Sequence, residues 1–65
     1  MDYNELERRC TEYMRDKHIR RGQAYMNALY KVNPDLHDKI LGTEADCFYV
    51  DGKIPEFIRV VYKEE

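Results

Sequence analysis

Along Gly22 to Val32, GQAYMNALYKV, apolar residues recur with the period of an α-helix. Tyr25, Ala28, Leu29 and Val32 fall at i, i+3, i+4 and i+7, the spacing of one buried stripe. Met26 and Tyr30 lie off that stripe. At about 100° per residue they widen the apolar arc to roughly half the circumference, leaving Gln23, Asn27 and Lys31 for water. A helix this apolar needs cover on two sides, which makes it the predicted central helix.

The flanking segments supply candidates for that cover. From Tyr3 to about Asp16, the residues Tyr3, Leu6, Cys10, Tyr13 and Met14 recur every three or four positions, an amphipathic helix. Its other face alternates charge, with Glu5 to Arg9, Arg8 to Glu12 and Glu12 to Arg15 at ion-pair spacing, each worth a few tenths of a kcal/mol. The stripe fails between Lys17 and Arg21, and Gly22 costs roughly 1 kcal/mol inside a helix relative to Ala, so a junction is predicted there. After Val32, Asn33 suits an N-cap and Pro34 the first helical position, opening a short helix to Leu41 that Gly42 stops in a left-handed cap. Thr43 and Asp46 read as a capped turn, and Asp51-Gly52 as another turn. Between them Cys47-Phe48-Tyr49-Val50 is too apolar for a free loop and should fold onto the core. Ile54, Phe57, Ile58 and Val61 match helical spacing with Pro55 at a first helical position. The same run suits a strand, but no second strand is evident to pair with it.

The prediction is an all-α fold, a small bundle of three main helices plus one short Pro-capped helix, forming a single domain over residues 1–65. Its expected core is Leu6, Cys10, Ala28, Leu29, Leu36, Ile40, Phe48, Phe57, Ile58 and Val61. Sixty-five residues bury only about 60% of the surface the unfolded chain exposes, so the stability margin is thin.

Charge and cysteine content narrow the function classes. The net charge is −2, with seven basic against five acidic residues up to Val32, and four against eight from Asn33 onward. A nucleic-acid binder usually carries a stronger basic excess. Two cysteines without C-x-x-C spacing read as reduced thiols, and no stretch has the length of a transmembrane helix or the apolar run of a signal peptide. A cytoplasmic location without membrane contact is expected.

The stretch RRGQAYMNALYKVNPDLHDKILGTEADCFYVDGKIPEFI, from Arg20 to Ile58, resembles a family of small proteins common in phage and prophage genomes and in some bacteria. Its pattern is R-x-G-Q-A, N-x-L, a Pro-capped short helix, G-T-[ED]-x-D-x-F-Y and I-P-x-F. Cys47 stands where that pattern has proline, and Val50 where it has an acidic residue. The resemblance implies the same helical order and a mobile-element setting, with the host cytoplasm as location if phage-encoded. It implies no activity and no catalytic residues.

Site chemistry is sparse. Cys10, Cys47, His18 and His37 include no pair at chelating spacing, so no metal or other cofactor is expected. Glu44, Asp46 and Asp51 lack calcium-loop spacing and read as caps and turn formers. No nucleophile elbow, P-loop or H-E-x-x-H helix is present, and an enzyme is not expected. Six tyrosines and three methionines in so short a chain suit a protein interface as well as a core. The expected function is a protein-binding accessory or inhibitor that docks on a larger host or viral protein, with a homodimer as a further possibility. The expected binding residues are Met26 and Tyr30, exposed on the flank of the central helix, rimmed by Arg20, Arg21 and Lys17. The basic cluster from Lys17 to Arg21 has two readings: it binds a phosphate or acidic partner, or it neutralises the acidic second half of the same chain. The alternative function is a weak nucleic-acid-associated regulator of helix-turn-helix type. Asp35 at the start of its recognition helix would repel phosphate.

Overall fold

A computed structural model describes residues 1–63, and among them forms four α-helices and no strand. Helix α1 spans Tyr3–Lys17, α2 Arg21–Val32, α3 Pro34–Ile40 and α4 Ile54–Lys63, with a 3-10 turn at Asp51–Lys53 leading into α4. The fold is all-α, with a Cα radius of gyration of 10.4 Å.

Local chemistry accounts for most of the helix ends. The Asp2 carboxylate accepts the Glu5 N–H at 3.1 Å and caps α1. Asn33 caps α3 by accepting the Leu36 N–H at 3.2 Å, with Pro34 in the first position, as the sequence predicts. Helix α3 stops at Ile40, and Gly42 follows at φ 80, a left-handed conformation that glycine adopts without strain. On the surface of α1, Glu5 pairs with Arg9 at 2.8 Å and Glu12 with Arg8 at 3.0 Å. Arg15 turns instead to Asp16 at 3.0 Å, so the expected Glu12 to Arg15 pair does not form.

The junction after α1 differs from the expectation in an instructive way. The chain turns at His18, which takes a left-handed φ of 55, and Gly22 lies inside the first turn of α2. Glycine is needed there because another backbone crosses it: a Cβ at Gly22 would run into the Cys47 carbonyl oxygen and lie 2.7 Å from Asp51 Oδ1. Arg20, at the N-cap, makes no side-chain cap, and the N–H of Gly22 is served from 29 residues away by Asp51 Oδ1 at 3.1 Å. The same oxygen accepts from Arg20 Nη1 at 2.9 Å, while Arg20 Nη2 reaches the Phe48 carbonyl at 2.7 Å.

Crossing of this segment over α2 also decides which side chains are core. Eight of the expected core residues are buried, and Ala24, Tyr25, Met26, Ala45 and Cys47 join them. Phe48 and Ile58, expected in the core, are only partly buried against it. Because the Cys47 backbone presses on Gly22, it is the thiol that turns under, donating to the Gly22 carbonyl at 3.4 Å, and Phe48 follows onto the rim.

In an exposed helix Gly22→Ala would gain up to about 1 kcal/mol of propensity. Here the added methyl meets backbone that cannot swing aside, so the substitution should destabilise by about 1–3 kcal/mol in urea unfolding, as overpacking does. Gly52→Ala, whose Cβ meets only the Val50 side chain at 3.7 Å, should stay within about 0.5 kcal/mol of the parent.

Candidate functional site

The five expected binding residues do not form one surface. Met26 is fully buried, which overturns its assignment to an exposed flank. It lies one turn beyond Gly22 on the same face of α2, the face that the Cys47 backbone and Asp51 meet at Gly22. Tyr30, a further turn along, remains 53% exposed, edge-on to His37 of α3 with ring centroids 5.2 Å apart. Arg20 is turned inward to Asp51 and the Phe48 carbonyl, so the neutralising reading of the basic cluster holds for this residue. Arg21 is exposed at the start of α2.

Lys17 and Tyr30 are brought together. With Tyr13, Asn27 and Lys31 they line a notch of about 250 Å³ between α1 and α2. The Lys17 ammonium stands 6.0 Å from the centre of the Tyr13 ring, at the outer reach of a cation–π contact. Among the described residues, neither Lys17 nor Lys31 has a carboxylate within ion-pair distance. The nearest acids along α1 are engaged elsewhere, Glu12 by Arg8 and Asp16 by Arg15, and α2 contains no acidic residue at all.

A larger groove of about 500 Å³ lies between α3 and α4 over an apolar floor of Leu36, Ile40, Ala45 and Val60. Its acidic rim residues are paired within the chain, Glu44 with Lys53 at 3.8 Å and Glu56 with Arg59. A third surface is the segment Phe48 to Val50. Tyr49 is 81% and Val50 50% exposed, yet the loop that carries them is held firmly. Asp46 accepts the N–H groups of Gly42 at 2.9 Å and Phe48 at 3.0 Å, Arg20 holds the Phe48 carbonyl, and Lys53 N–H closes on the Val50 carbonyl at 3.0 Å. Phe48 buttresses Tyr49 edge-on at 4.8 Å.

Glu7, which sequence reasoning passes over, holds a polar cluster that joins α1, α2 and α4. Its carboxylate accepts from the Tyr25 hydroxyl at 2.8 and 2.9 Å and from the Tyr62 hydroxyl at 2.7 Å. Tyr62 stacks on Tyr3 at 4.1 Å, and Tyr3 donates to the Tyr62 carbonyl at 3.1 Å. The signal was present: a tyrosine in a buried stripe, such as Tyr25, needs an acceptor for its hydroxyl. Burial first, and then the Glu7 hydrogen bond, push the Tyr62 hydroxyl up to about 12 and raise Tyr25 further. Burial also pushes the thiols up, Cys10 to about 11 and Cys47 to about 12. Both thiols therefore stay protonated at neutral pH and are poor nucleophiles in the folded chain.

No family model, curated protein or solved structure matches the chain.

These raised values set the alkaline limit of the fold. Unfolding releases thiols of ordinary value 9.0 and phenols of ordinary value 10.0, so the unfolded state loses protons first as pH rises. The stability these groups contribute is complete below about pH 9 and should fall through the range 9 to 12. Urea unfolding across that range should show a shallower decline above pH 10 for Tyr62→Phe than for the parent. Equal declines would mean that Tyr62 ionises as freely in the folded chain as in the unfolded one.

Proposed function

We propose that this chain is a small protein-binding accessory, of inhibitor type, that acts by docking on a larger protein. The observation that carries this reading is the Tyr49-Val50 knob, exposed apolar side chains on a loop pinned by hydrogen bonds on both sides. The core closes without them, so they have no internal packing role that requires a tyrosine there. A rigid, exposed tyrosine loses little conformational freedom on association and covers a large area, the profile of an interface anchor. Tyr30 adds a second exposed ring, and Leu41 a further apolar side chain. Among the described residues no helix is long and apolar enough to cross a membrane, which is compatible with action in the cytoplasm. The phage or prophage setting rests on the sequence pattern from Arg20 to Ile58.

A nucleic-acid regulator is the weaker reading. Arg20, which that reading places on phosphate, is occupied by Asp51, and α3 is a seven-residue helix with exposed Asp35 and Asp38.

The test uses the parent and a Tyr49→Ser/Val50→Ser variant as paired baits in extracts of the source cell, with any protein captured by the parent then purified for calorimetry. The expected result is a partner bound by the parent and lost from the variant, while both unfold at the same urea midpoint. Equal binding by both baits would rule out the knob as the anchor. Should the double variant unfold early, Tyr49→Lys alone, on a side chain that is mostly solvent-exposed, makes the same comparison.

A further inference from the structure

The notch between α1 and α2 brings two lysines and two tyrosine rings to one concavity. Six cations of the chain are matched to nearby acids: Arg8 to Glu12, Arg9 to Glu5, Arg15 to Asp16, Arg20 to Asp51, Lys53 to Glu44 and Arg59 to Glu56. Arg21 and Lys63 have no such acid among the described residues, but neither borders this notch. Lys17 and Lys31 are not matched among the described residues, and both border the same concavity, with Tyr13, Tyr30 and Asn27 between them. Each lies in the last turn of its helix, where it gains a little from the partial negative charge of the terminal carbonyls. That effect leaves the ammonium groups accessible to an external anion.

We infer that this notch is a docking site for an acidic segment of a partner protein. In that arrangement carboxylates sit against Lys17 and Lys31, and an apolar side chain between them lies on the rings of Tyr13 and Tyr30. Charge complementarity selects the occupant: two unmatched cations flank an aromatic floor, and the 250 Å³ volume suits one or two side chains. A nucleic-acid strand fits less well. The chain carries a net charge of −2, and exposed Asp16, Asp35 and Asp38 would meet a continuous phosphate backbone. This inference rests on the docking function proposed above and supplies a second contact, apart from the Tyr49 knob, that sets the chemistry of the partner.

The experiment titrates the ¹⁵N-labelled protein with an N-acetylated, C-amidated Glu-Glu-Leu-Phe-Glu-Glu peptide and follows the amide resonances. The expected shifts cluster at Tyr13, Lys17, Asn27, Tyr30 and Lys31. Affinity should fall about tenfold or more in Lys17→Glu/Lys31→Glu, and also on raising salt from about 0.05 to about 0.5 M. If the charge-reversed variant loses its dispersed spectrum, Lys17→Gln/Lys31→Gln replaces it, with a smaller loss expected. Three outcomes overturn the inference: no shifts at millimolar peptide, equal binding by the variant, or tighter binding of a decathymidine oligonucleotide at the same amides. Self-association through these residues, seen by sedimentation, would also overturn it by making a second copy the occupant. A parent that captures a partner through Tyr49 while ignoring the peptide would sink this inference alone and leave the docking function standing.

Discussion

One carboxylate oxygen, Asp51 Oδ1, holds the arrangement of the second half of the chain. It accepts from the Gly22 N–H and from Arg20, so a residue just before α4 does the capping that the residue before α2 cannot. The contact is possible only because Gly22 lacks a Cβ. Any side chain there would push the Cys47 backbone away, and Asp51 would lose its reach to the helix end. A local cap fixes one helix terminus; this one also fixes the path of the chain from Cys47 to Lys53. A 65-residue protein with a narrow stability margin gains twice from such a contact.

The Glu7 cluster does comparable work for the helices themselves. Tyr25 comes from α2 and Tyr62 from α4, so a single α1 carboxylate ties three helices together. Tyr3 adds a stacked ring and a hydrogen bond to the backbone of α4. Each tie joins residues far apart in sequence, and together they return the C-terminal third of the chain to a helix pair that could not otherwise cover both sides of α2.

This explains what was legible in the sequence and what was not. Helix positions followed from local signals: the stripe of α2, the Asn33-Pro34 start of α3, Gly42 as its stop and Pro55 in the first turn of α4. Most of the core followed from the same periodicity. The errors arose where a distant segment decides the outcome. Gly22 reads as a helix breaker because propensity measures its own backbone, whereas the structure uses its missing side chain to admit another strand of backbone. Met26 reads as an exposed flank because it lies off the Tyr25, Ala28, Leu29 and Val32 stripe, and periodicity alone does not show what covers the rest of the helix. Phe48 reads as core because it stands in an apolar run, but the Cys47 backbone contact at Gly22 turns the thiol under and leaves Phe48 only partly buried. Of the expected binding residues, Lys17 and Tyr30 share a notch, while Met26 and Arg20 serve the fold.

The separation of Arg20 from Lys17 shows why a basic cluster in sequence is a poor guide to a basic surface. The two residues are three apart, yet the turn at His18 points them to different tasks: Arg20 meets an acid from the chain's own second half, and Lys17 faces outward beside Lys31, which is fourteen residues away in sequence. What distinguishes a cation available to a partner is the absence of a local acid, and that depends on the helix surface around it. Helix α2 has no acidic residue, so Lys31 has nothing at i±3 or i±4 within its own helix to pair with, and Lys17 has Tyr13 and Met14 at those positions. The positive character of the notch therefore comes from where acids are missing on two adjoining helices in a chain that is acidic overall.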